Sequence, residues 1–87
     1  MPRISEFYGI ITIYYHDHAP PHIHARYAEH KAEYAIADST RLAGALPRRA
    51  ETLVLDWIAI HRAELQANWD AMQASPPRPP QPVPPLP

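Results

Sequence analysis

The chain has no cysteine. No disulfide can staple it and no thiolate can ligate a metal. A secreted domain this small, without staples, would be unusual. Nor is there an excess of charge: the formal net is −1. That argues against a general nucleic-acid binder, which carries a basic surplus, though it leaves room for a local basic face. Long apolar runs are missing too. The longest, residues 7–15, falls far short of the roughly 20 residues of a membrane-spanning helix. The opening Met1-Pro2-Arg3-Ile4-Ser5-Glu6 lacks the apolar core of a signal peptide. The expectation is a cytoplasmic protein with no membrane role. There is no glycine-rich phosphate loop, no Ser-His-Asp motif and no helical His-Glu-x-x-His zinc motif. At 87 residues there is room for one domain. A domain of this size buries only about 60% of its unfolded surface, so help from a metal or a partner would matter.

What the chain does have is order along its length. Residues 7–15 are rich in β-branched and aromatic side chains and read as one central strand. Pro20 and Pro21 stop it. Residues 22–27 alternate, with Ile23, Ala25 and Tyr27 on one side and His22, His24 and Arg26 on the other. Residues 28–31 read as a polar turn. Residues 32–37 alternate again, and Leu42, Gly44 and Leu46 suggest a short fourth strand. From Pro47, a fitting first helical residue, the period changes. Leu53, Val54, Trp57, Ile58, Leu65, Trp69 and Met72 form a helical stripe that should end near Ser75, before Pro76 and Pro77. The fold class read from this order is α+β. Two layers are expected: a three- or four-stranded antiparallel sheet packed against one long C-terminal helix. Residues 1–75 form the single domain. Residues 76–87, which hold most of the 12 prolines, read as a disordered or polyproline II tail with no core to join.

The chemistry concentrates between His16 and His24. On a strand, His22 and His24 share a face, so two imidazoles can converge on one point. Two imidazoles begin a zinc site, which then needs a third protein ligand and a water. His16, Asp17 and His18 lie just across the proline turn, and His18, His22 and His24 form the candidate ligand set. Imidazole also suits copper, nickel and iron, so a divalent metal such as zinc is the candidate cofactor without its identity being fixed. Other readings use the same residues. His22 or His24 can act as a general acid or base oriented by Asp17. His22, His24 and Arg26 can hold phosphate or an RNA backbone. Paired histidines on a strand can also be plain polar surface. His61 falls within the helix stripe, where a hydrogen-bonded residue at the core edge is the simpler reading and an approach to the strand cluster the sharper one. Arg26 and His61 are therefore candidate binding residues.

Several strings together resemble the bacterial domain-of-unknown-function 4160 family. They are Ile4-Ser5-x-Phe7-Tyr8-Gly9-Ile10, Tyr14-Tyr15 and Asp17-His18-x-Pro20-Pro21-His22-x-His24. In the second half they are Gly44-x-Leu46-Pro47, Arg49-Ala50, Trp57, His61-Arg62-x-Glu64-Leu65 and Asn68-Trp69. The resemblance runs in order from residue 1 to about 74. It implies signature positions at Asp17, His18, Pro20, Pro21, His22 and His24. It also implies a small bacterial protein, often encoded beside another small uncharacterised domain in an arrangement like a toxin–antitoxin operon. A neighbour-encoded protein partner and a role on nucleic acid or nucleotide are what that arrangement suggests. The alternatives are a metal-binding protein or metal-dependent enzyme, and a purely structural interaction module. The proline-rich ending departs from the family's usual one.

Overall fold

A computed structural model describes residues 3–14 and 19–86. Five strands precede one helix: β1 (Arg3–Phe7), β2 (Ile10–Ile13), β3 (His22–Tyr27), β4 (His30–Ala35), β5 (Arg41–Ala45) and α1 (Arg48–Gln73). The strands form one antiparallel sheet in sequence order. The α+β class is as expected, but there are five strands where three or four were anticipated. The apolar run read as one strand folds back on itself at Tyr8 and Gly9, whose φ values are 53° and 73°. Two successive positive φ values make the tight turn of a two-residue hairpin, and Gly9 adopts its value without steric cost.

Alternation divides the sheet into two faces. Ile10, Ile23, Ala25, Ala32 and Tyr34 turn inward and are buried with Val54, Trp57, Ile58, Leu65 and Trp69 of α1. Two inner tyrosines tie the layers together. The Tyr14 hydroxyl donates to the Leu65 carbonyl at 2.7 Å, and the Tyr34 hydroxyl donates to Glu51 at 2.8 Å. Glu51 also accepts from Arg41 at 3.1 Å. Arg62 fastens the β4–β5 connection, donating to the Ile36 carbonyl at 2.7 Å and the Ser39 hydroxyl at 2.6 Å. The outer face carries His24, Arg26, Lys31 and Glu33, and no described helix lies over it.

Pro47 precedes α1 without a side-chain cap. The helix ends at Gln73, as the following prolines required. It is interrupted once, at His61, where φ is −109° and ψ is 20°.

The expectation that the proline-rich segment has no core to join is corrected. Residues 76–86 form neither helix nor strand, yet they return along the domain. The Val83 amide donates to the Ile4 carbonyl of β1 at 2.9 Å. The buried indole of Trp57 donates to the Pro84 carbonyl at 2.8 Å. Val83 itself is buried in the core, and Leu86 packs against it. The segment shows no helical or strand period, because only single residues in it reach the core. That is why periodicity does not reveal the contact.

Candidate metal centre

The strand geometry of β3 turns His22 and His24 to one side, and their ring centroids are 5.1 Å apart. The register with β4 then supplies a carboxylate. Glu33 stands directly opposite His24, and Ala35 stands opposite His22. One ligand atom from each of His22, His24 and Glu33 lies within 4.8 Å of the others.

The three side chains are held differently. His22 is 6% exposed, and its ring leans on Trp69 of α1 at a centroid distance of 5.2 Å. Its Nδ1 lies 2.7 Å from the Pro20 carbonyl. A carbonyl can only accept, so Nδ1 carries a proton, and in the neutral imidazole Nε2 is left with the lone pair. Nε2 is 3.7 Å from the Glu33 carboxylate, too long for a direct hydrogen bond. Two ligands at about 2.0–2.1 Å from a tetrahedral ion stand about 3.3–3.4 Å apart, so this pair needs to close by only a few tenths of an ångström. A histidine whose second nitrogen is anchored to a backbone carbonyl is the usual arrangement behind a metal-ligating imidazole. His24 and Glu33 are half-buried and border the open outer face.

Other candidate residues fall elsewhere. Asp17 and His18 lie outside the described residues. Arg26 follows His24 on the same face and is exposed, two positions from the cluster. His61 is not brought to the cluster. Its Nδ1–H donates to Glu64 at 2.7 Å, and its ring packs near Trp57, with centroids 5.9 Å apart. The hydrogen bond expected for it is made, to a carboxylate one turn along the helix.

Glu33 is the residue that sequence reasoning missed. The signal was the turn. Reading residues 28–31 as a four-residue turn pairs His24 with Ala35. The actual two-residue turn at Ala28 and Glu29, with Ala28 at φ 54°, pairs His24 with Glu33. A shift of two residues keeps the faces but changes the partner.

A family model described as Domain of unknown function (DUF4160) matches residues 9–70. That span includes the whole cluster and most of α1, and it stops before the docked proline-rich segment. No curated protein and no solved structure matches the chain.

Proposed function

The chain belongs to the DUF4160 family, whose description names no activity, and from its geometry we propose that it is a divalent-metal-binding domain with His22, His24 and Glu33 as protein ligands. The observation that carries this reading is the His22–His24–Glu33 convergence, with the proton of His22 already assigned to the far nitrogen. Two imidazoles select a first-row transition metal over magnesium or calcium, which prefer all-oxygen shells. Two histidines and one carboxylate are the donor set of hydrolytic zinc centres and of non-haem iron centres. Both keep a coordination position open for water or substrate. General acid–base work by His24, the other use of this imidazole, would exclude it from the ligand set, because a metal-bound imidazole has no lone pair left for a proton. A partner encoded by a neighbouring gene rests on the family resemblance alone, and a role on nucleic acid or nucleotide rests on it and on the polar strip of His22, His24 and Arg26.

The test is zinc titration of full-length protein purified without a histidine tag. One equivalent should bind, and zinc at about 100 times Kd should add about 2.7 kcal/mol of stability. That raises Tm by roughly ten degrees or more in a domain of this size. His24→Ala and Glu33→Gln should each remove the shift. His18→Ala in the same series tests the third imidazole proposed from the sequence. Parent protein that binds no zinc, copper, nickel or iron stoichiometrically would overturn the reading.

A further inference from the structure

We propose that the groove beside the His22–His24–Glu33 cluster is an anion subsite that takes a phosphoryl group, held by Arg26 and Lys31. The inference deepens the metal reading and rests on it for the third positive charge. The groove lies on the outer face of the sheet and encloses about 160 Å³. Ile13, His24, Arg26, Lys31, Glu33 and Ala43 line it. Ligand pockets usually measure about 300–1,000 Å³. This one is smaller, so it admits a charged group and leaves the remainder of a ligand on the open sheet.

The placement of the two cations is the informative feature. Arg26 and Lys31 are direct cross-strand partners on β3 and β4. Like charges set opposite one another destabilise a ladder. Both are exposed, and among the described residues neither forms a salt bridge with a carboxylate. An anion between them would remove the repulsion and engage a planar guanidinium fork together with an ammonium point charge. Glu33 alone would repel that anion. A divalent ion on Glu33 would outweigh that carboxylate and add to the positive charge that Arg26 and Lys31 already give the groove.

The neighbouring strand keeps the space clear. Ala43 lies opposite Glu33 and Ala45 opposite Lys31, so β5 presents only methyl groups there. Between them Gly44, at φ 71°, lets the β5 backbone lie against β4. A Cβ at that position would fall 2.2 Å from the Lys31 carbonyl oxygen.

The experiment is a calorimetric titration of inorganic phosphate into the full-length protein, zinc-loaded and zinc-free, for the parent, Arg26→Gln and Lys31→Gln. Zinc affinity is measured in parallel. The expected result is phosphate binding by the zinc-loaded parent, weakened about tenfold or more by either substitution. Zinc should bind as tightly as in the parent or more tightly, because a nearby positive charge is gone. If zinc binds but phosphate affinity ignores both substitutions, the anion subsite is overturned and the metal reading stands. If zinc fails to bind while phosphate binds and depends on Arg26 and Lys31, the subsite stands and the metal reading falls. If neither ligand binds, both fall.

Discussion

The imidazole of His22 lies against the indole of Trp69, with ring centroids 5.2 Å apart and planes tilted by 46°. This contact links the candidate metal centre to the helix layer and provides an optical reporter. Zinc added to the parent should change tryptophan emission, with half of the change reached at the Kd found by zinc titration. Trp57 packs on Phe7 and His61 and should contribute little to the change. Trp69→Phe should keep zinc binding and lose the response. Because that substitution touches the core, His24→Ala provides a second arm: it leaves Trp69 in place and should also silence the signal. A full response in His24→Ala would mean that the ion sits elsewhere.

The proline-rich segment should contribute to stability. The Asn68 side chain donates to the Gln81 carbonyl at 2.8 Å and accepts from the Gln81 amide at 2.9 Å, a two-point clasp from the buried face of α1. Truncation after Ser75 removes this clasp, exposes the surface covered by Val83 and leaves the Trp57 indole without its carbonyl partner. Burial of a valine side chain is worth about 1.5–3 kcal/mol. The truncated protein should therefore melt several degrees below the parent. Asn68→Ala should reproduce part of the loss, about 1–2 kcal/mol in urea unfolding. An unchanged Tm after truncation would show that the docked segment adds nothing.

The outline of the fold was legible because it is periodic. Alternation from His22 to Tyr27 and the helical stripe from Leu53 to Trp69 each report a face, and both faces were assigned from side-chain pattern alone. Three features were not legible, each for a local reason. The hairpin at Tyr8 and Gly9 was hidden inside an unbroken apolar run, where only a single glycine marks the reversal. Glu33 was concealed by turn length, which sets register without altering the pattern of either strand. The docking of Val83 and Leu86 depends on isolated contacts in a segment without a period. At the site, His22 and His24 were visible as a pair, but their unequal burial was not. Strand alternation gives direction and says nothing about what a distant helix residue such as Trp69 brings against one of them.

The two interior tyrosines predict an alkaline limit to stability. Burial raises the Tyr14 pKa above its ordinary value, and burial, with the Glu51 carboxylate beside it, raises that of Tyr34. In the unfolded chain both ionise near about pH 10. A raised native pKa means that the stabilisation is complete below that value and is lost as pH climbs through it towards the native value. Each tyrosine should cost about 1.4 kcal/mol per pH unit in that window. Urea unfolding at about pH 9, 10 and 11 should show the fall, and Tyr14→Phe should make it shallower. Stability that is flat across those values would contradict the assignment.

His22 and His24 should separate when each is replaced by alanine, although they sit on the same strand face. A histidine on an exposed strand face would be cheap to replace. That expectation holds only for His24, which is half-buried at the mouth of the outer groove. His22 is buried, donates to the Pro20 carbonyl at 2.7 Å and supports Trp69. Removing its ring deletes a hydrogen bond and leaves space beside a large aromatic side chain. In urea unfolding with chelator present, His24→Ala should lie within about half a kcal/mol of the parent. His22→Ala should lose about 1–3 kcal/mol. Both should lose zinc binding. The chelator matters, because bound metal would stabilise only the parent and exaggerate both differences. Equal stabilities for the two variants would refute a structural role for His22. A His24→Ala protein that keeps the parent's zinc affinity would remove His24 from the ligand set, whatever its stability.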